Sequence, residues 1–322
     1  AVSVSGPYYG AEPWDDDGRH APCGGPCPLT LGPVAADEAP AAGRSLSSSA
    51  GQGRVLFVVV TDSNFYASRV QWVLQTWASS LPERDLVVIG DAPYNQSAAF
   101  NSSVKSTNCP AHTHESGCCK WGMAVEHIYK KMAAEPDIDW AYVADDDTYV
   151  RTDMVRRMVD VHSDPGETGV VLAVLGCGPV KEPCAGGICG GGGFAVNRMA
   201  VYKAAGFKLR EVEPQEVALC HQCGEWADLA IWKFFLGHGV EMRNQANLYP
   251  FKLNKIGFQR SLPAGPIMYH YVKTEGQMWF LHKLFETSLP SPPPGARTQC
   301  VQHQGARRCI EVASAGDVPW ST

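Results

Sequence analysis

The sequence predicts an α/β domain with a mostly parallel central sheet and helices on both faces. Three runs carry that expectation. RVLFVVVT (Arg54–Thr61), DLVVIG (Asp85–Gly90) and WAYVA (Trp140–Ala144) are continuous apolar stretches rich in β-branched residues, as strands buried on both faces require. Stretches with helical spacing of apolar residues lie between and after them, and such alternation gives parallel pairing. The chain has 322 residues, enough for one large domain or two small ones with a proper core.

Residues 1–52 are rich in Ala, Gly, Pro and Ser and read as a stem or extension, with Cys23 and Cys27 placed to staple it. Residues 53–288 form the expected folded domain. After the first strand, ASRVQWVLQTWASS (Ala67–Ser80) sets Val70, Val73, Leu74 and Trp77 on one helical face. A polar loop follows the second strand, and then a helix near Lys120–Ala134. RTDMVRRMVDVH (Arg151–His162) is helical, with Met154, Val155, Met158 and Val161 as its stripe, and GVVLAVL (Gly169–Leu175) is a further strand. From Cys189 a four-glycine run passes into a helix through FAVNRMAVYKAA, and EWADLAIWKFFLGHG (Glu225–Gly239) is a strongly apolar helix. Residues 289–322, opening on SPPPG, are a tail that Cys300 and Cys309 can staple.

The net charge of −6 and pI near 5.9 leave no basic footprint for nucleic acid. Twelve cysteines, together with the sequons at Asn95 and Asn101, point to an oxidising, secretory compartment. No apolar run approaches the ~18 residues of a membrane span. The first residue is Ala1, so the chain is read as a mature or trimmed form whose signal or membrane anchor lies outside it.

The chemistry concentrates at Asp145-Asp146-Asp147, directly after the WAYVA strand. Ligands of open parallel sheets sit at the carboxyl ends of strands. Side chains alternate in extended chain, so Asp145 and Asp147 share a side. Two hard oxygen ligands there suit Mg²⁺ or Mn²⁺ with phosphate oxygens. The competing reading is a solvated turn or helix-start charge, as it is for the second triplet, Asp15–Asp17, which has no strand before it. Gly190–Gly193 admit close backbone approach, or form a plain surface loop. Asp228 is either a helix cap or a partly desolvated base. His270, in IMYHYVK, is either a structural histidine or a third metal ligand. Cys220-His221-Gln222-Cys223 and the cluster of His112, His114, Cys118 and Cys119 raise zinc, but disulfides fit the compartment better.

The order of these motifs resembles the Fringe and core-1 β-1,3-galactosyltransferase group of inverting glycosyltransferases, over roughly residues 54–286. VADDDTYV is similar to that family's Asp-rich metal motif, and GGGGFAVNR to its Gly-Gly-Ala-Gly turn with Gly192 in place of Ala. EWADLAIW resembles its acidic helix start, with Ala227 where an acid is usual. IMYHYVK resembles its His-Tyr-Val motif, and ASRVQWVLQTWA its early segment carrying Arg69, Thr76 and Trp77. The resemblance implies a GT-A fold, a UDP-sugar donor, Mn²⁺ (or Mg²⁺), and transfer of Gal, GlcNAc or Glc to a glycan or glycoprotein hydroxyl in the Golgi or ER lumen, with a β-1,3 linkage. It implies Asp147, His270 and Asp145 as metal ligands, and Asp228, or alternatively Glu225, as the base. Donor contacts would come from Asp145, Asp146, Arg69, Thr61, Gly191 and Gly192, and acceptor contacts from Trp226 and Gly193, with Trp279 a further ring for stacking.

Two other classes compete. A phosphatase with an aspartate nucleophile wants D-x-D-x-T/V on the first strand, whereas Tyr149 stands two after Asp147 and earlier strands precede the triplet. A non-catalytic lumenal UDP- or glycan-binding relative of the same fold differs only in lacking turnover.

Overall fold

A computed structural model describes residues 53–94, 104–111, 113–162, 168–177, 184, 186–205, 211–245, 247–249 and 267–285, and the backbone of 297–303 and 306–312. The stem, the two sequons, His112, Cys23 and Cys27 lie outside the described residues. In chain order the elements are β1 (Arg54–Val60), α1 (Gln71–Gln75), β2 (Leu86–Gly90), β3 (Val104–Ser106), α2 (His114–Ala134), β4 (Ile138–Asp145), β5 (Tyr149–Val150), α3 (Thr152–Val161), β6 (Val170–Ala173), β7 (Leu175–Cys177), β8 (Gly187–Ile188), β9 (Phe194–Asn197), α4 (Arg198–Ala205), α5 (Val212–Gln222), α6 (Ala227–Gly237), β10 (Glu241–Asn244), β11 (Leu248–Tyr249), β12 (Met268–Tyr269), α7 (Glu275–Phe285), β13 (Arg297–His303) and β14 (Ala306–Val312).

The main sheet has seven strands in the order β10-β6-β9-β4-β1-β2-β3. Every neighbouring pair is parallel except those of β9, which runs antiparallel to both β4 and β6. This is the mixed α/β, mostly parallel architecture that the sequence predicts. β1 shows why its run is apolar throughout. Val55, Phe57 and Val59 enter one core with Val70, Val73 and Leu74 of the α1 segment, Val155 of α3 and Leu281 of α7. Leu56, Val58 and Val60 enter the opposite core with Ile128 of α2 and Phe234 of α6. A period of two distributes side chains to both faces, and helices cover both, so no position tolerates a polar residue.

Three local expectations need correction. The helix expected over Ala67–Ser80 is broken: tight and wide turns cover Ser63–Val70, and the α-helical part ends at Gln75. Thr76 leaves the helical region at φ −116°, ψ −111°, and its hydroxyl bonds back to the Trp72 carbonyl, a competition that bends or ends helices. The Trp77 indole then donates to Thr148 O at 3.0 Å, so tertiary contact claims that residue. The glycine run does not pass straight into a helix, because strand β9 intervenes. The expected strand over Gly169–Leu175 divides at Val174 into β6 and β7. The tail after 289 contains the β13–β14 hairpin, in which Cys300 and Cys309 occupy opposite register positions.

At the amino end of the sheet one arginine gathers acids from three segments. Arg54 Nε lies 3.0 Å from Asp85 Oδ1 and Nη1 lies 2.9 Å from Asp137 Oδ2, and the guanidinium also meets Glu135. Four disulfides lie among the described residues: Cys109–Cys119, Cys118–Cys220, Cys177–Cys189 and Cys184–Cys223. The C-x-x-C cysteines therefore take different partners, on α2 and on the loop before β8, which removes the zinc and redox readings. Within the described residues no helix is long and apolar enough to cross a membrane.

Candidate active site

The site forms where β4 ends. β1 and β4 run side by side with Val60 opposite Asp145, and Asp146 N–H donates to Val60 O at 3.1 Å. The chain turns there, so the three carboxylates separate in direction. β5, just after the triplet, pairs antiparallel with β12, setting Tyr269 against Tyr149, and Val272 N–H donates to Asp147 O at 2.9 Å. That register delivers His270 to the triplet from a distant part of the sequence. His270 Nε2 lies 3.2 Å from Asp147 Oδ1. One ligand atom each of Asp145, Asp147 and His270 lies within 4.8 Å of the other two. Two carboxylate oxygens and an imidazole nitrogen form a donor set suited to Mn²⁺ or Mg²⁺.

Asp146 faces elsewhere. Its Oδ2 accepts from the Thr61 hydroxyl at 2.6 Å and its Oδ1 from Arg69 at 3.0 Å, and the Arg69 guanidinium lies 3.8 Å over the Phe65 ring. Three residues expected at the donor thus form one partly buried network that fixes the strand end. The pair flanking Asp146 is shifted in opposite directions. Burial pushes Asp145 up to about 7, and the neighbouring Asp147 charge adds to the rise. Burial also works against ionised Asp147, but His270 and Lys273 outweigh it and hold this carboxyl well below the usual range.

The glycine run fits between the two halves of the site. A Cβ on Gly190 would stand 2.1 Å from the Cβ of Asp228, and one on Gly191 would stand 1.9 Å from the His270 ring. Gly193 adopts φ +65°, and a Cβ there would stand 2.5 Å from Val143 O, so both conformation and space demand glycine. Tyr142 OH donates to Gly192 O at 2.9 Å, anchoring the turn to β4. Asp228 enters from the first turn of α6. Its Oδ2 accepts from Gly190 N–H at 2.9 Å and its Oδ1 from Leu229 N–H at 3.0 Å. Burial raises its pKa above the ordinary carboxylate value, while those backbone donors limit the rise. Its charge is felt at Asp145 and it feels that of His270. Asp228 is thus a first-turn acid that satisfies the Leu229 N–H, while the N-cap position of α6 is held by Trp226 without a side-chain cap bond.

Glu225 lies outside this cluster, exposed in a left-handed turn at φ +65°. Trp226 stands 59% exposed at the N-terminus of α6. Trp279 is half-buried, its ring 5.6 Å from that of His282, a packing role. Sequence reading missed Lys273, whose ammonium meets Asp147 Oδ2, although it stands only three residues after His270. It also missed Glu216 of α5, fully buried, with no partner for either carboxylate oxygen and electrostatically coupled to Asp228.

Residues 51–173 match the family model described as Fringe-like. A β-1,3-N-acetylglucosaminyltransferase manic fringe of Danio rerio is 31% identical over 97 residues, which is 30% of this chain and 25% of that protein. The chain thus aligns with about a quarter of that relative's length. Among solved structures, a glycosyltransferase involved in glycosylation of the major capsid of PBCV-1 shares 12% identity at a TM-score of 0.39, covering 70% of this chain and 99% of that one. The apo WbbM bifunctional glycosyltransferase shares 13% at 0.39, covering 69% and 46%. The segment that matches the Fringe-like model holds β1, Arg69 and the Asp triplet.

Proposed function

We propose that the protein is an inverting, metal-dependent glycosyltransferase. It moves Gal, GlcNAc or Glc from a UDP-sugar to a hydroxyl of a glycan or glycoprotein in the Golgi or ER lumen, forming a β-1,3 linkage. The observation that carries this reading is the convergence of Asp145, Asp147 and His270 within 4.8 Å beside Asp228, with a side-chain-free glycine turn between them.

Asp147, His270 and Asp145 would hold Mn²⁺ or Mg²⁺. Such a cation, when bound, neutralises charge on the leaving UDP. Asp228 accepts the proton of the acceptor hydroxyl as that oxygen attacks the anomeric carbon from the face opposite the leaving group, and a single displacement of this kind inverts configuration. Burial, by raising its pKa, makes Asp228 a better base than an exposed aspartate, and its two backbone donors fix the direction of its lone pairs. Gly190–Gly193 let a sugar lie against backbone, and the exposed Trp226 face offers a stacking surface for the acceptor. Arg69 and Thr61 support the donor site through Asp146.

UDP release from a panel of UDP-sugars, with Mn²⁺ and with EDTA, tests the reading in wild type and Asp147→Ala. Release from one sugar, dependent on Mn²⁺ and lost in the variant, is the expected result and names the donor. UDP binding without turnover, even with candidate acceptors, would favour a non-catalytic relative. Absence of UDP binding by calorimetry would return Asp145–Asp147 to a structural turn.

A further inference from the structure

Lys273 has no role in the scheme above, yet its ammonium lies directly on Asp147 Oδ2 while His270 Nε2 occupies the Oδ1 side at 3.2 Å. The Lys273 side chain is 46% exposed, and its Nζ also lies 5.2 Å over the Tyr271 ring. Tyr271 holds a left-handed backbone, φ +60°, a conformation costly for a side chain of this size. The segment carrying Lys273 is pinned on both sides. Val272 N–H donates to Asp147 O at 2.9 Å. Thr274 and Gln277 form a reciprocal cap of α7, with Gln277 N–H on the Thr274 hydroxyl at 3.2 Å and Thr274 and Lys273 N–H on Gln277 Oε1 at 3.2 and 2.7 Å. The backbone of Lys273 is thus fixed at the rim of the site, while its four-carbon side chain reaches Asp147 from the solvent side.

We propose that Lys273 is a stand-in cation. It neutralises Asp147 when no divalent ion is present, yields that oxygen when one binds, and then pairs with a phosphate oxygen of the nucleotide diphosphate. The inference rests on the donor reading above. An ammonium and a divalent ion held by the same buried carboxylate repel each other, so the two compete for Asp147. A displaced lysine anchored at the rim remains within reach of any anion that the metal holds, and ammonium–phosphate pairing is a charge-assisted bond. A lysine serves this exchange better than an arginine, because its charge is compact and not locked by a bidentate fork.

The test uses the full chain with Lys273→Gln and Lys273→Arg, both read by calorimetry. Without nucleotide, Lys273→Gln should bind Mn²⁺ several-fold more tightly than wild type, because the competitor is gone. In saturating Mn²⁺ the same variant should bind UDP ~10-fold more weakly, the effect of losing one charge-assisted bond, while Lys273→Arg retains most UDP affinity. Unchanged or weaker Mn²⁺ binding by Lys273→Gln, with an unchanged melting temperature, overturns the competition. Unchanged UDP affinity overturns the phosphate role. A wild type that binds Mn²⁺ but no UDP sinks the donor reading and the phosphate role with it. The nucleotide-free Mn²⁺ titration separates that failure from a failure of Lys273 as competitor.

Discussion

The two ends of the same sheet handle carboxylates in opposite ways. At the amino end, Asp85, Glu135 and Asp137 surround Arg54, a permanent cation that opens β1. At the carboxyl end, Asp145, Asp146, Asp147 and Asp228 gather around Val60 and the glycine turn. There Arg69 serves Asp146 alone, and Lys273 and His270 serve Asp147. Among the described residues no arginine or lysine pairs with Asp145. Acids that only hold a fold are compensated within the chain. Acids left short of positive charge at a strand end are what the proposed metal site would draw on.

Breaking the compensated end should cost stability alone. Arg54→Ala leaves Asp85 buried without its cation, and we expect a loss of about 3–5 kcal/mol in denaturant unfolding, with UDP affinity of the folded fraction unchanged. A loss of UDP affinity without destabilisation would erase the contrast between the ends. Altering the deficient end should do the reverse. Asp228→Ala should retain UDP binding in the folded protein but lose transfer by ~10²-fold or more. If that variant is active while Glu225→Ala is dead, the base moves to Glu225. Gly190→Ala pushes a methyl into Asp228 and should lower transfer at least ~10-fold, with a destabilisation of about 1–3 kcal/mol, measurable by single-turnover kinetics and thermal melts. The smallest effect concerns Glu216. Burial, with Asp228 adding to it, holds its pKa well above the ordinary glutamate value. The folded state therefore keeps a proton that the unfolded state loses, and stability falls as pH rises above the unfolded pKa of ~4.3. Glu216→Gln should flatten that decline, raising Tm at pH 8 more than at pH 5. An equal shift at both values would mean that Glu216 does not carry the proton.

Much of this was legible because long apolar runs leave few alternatives. β1, β2 and β4 were readable from composition alone, and the Asp triplet announced itself by following one of them. β9 was hidden because four residues, Phe194–Asn197, between a glycine run and a helix give no period to read. The end of α1 at Thr76 was set by a back-bonded hydroxyl and by the reach of Trp77 to Thr148, both tertiary effects. The glycine run was noticed as space for a ligand. Its first demand comes instead from Asp228 and His270, which only the folded chain brings against Gly190 and Gly191. Lys273 and Glu216 escaped notice because a lone lysine in a polar stretch and a glutamate within a helix look ordinary until their surroundings are known.

The Fringe-like match ends at residue 173, while Asp228 and His270 come later. The candidate site is therefore a composite of two stretches of sequence, joined covalently by the Cys118–Cys220 bridge from α2 to α5. A proteolytic or spliced fragment stopping near the end of β6 would keep the acidic triplet and Arg69 but neither Asp228 nor His270. On the glycosyltransferase reading proposed above, such a piece would lack turnover, and activity would return only when both halves were supplied together.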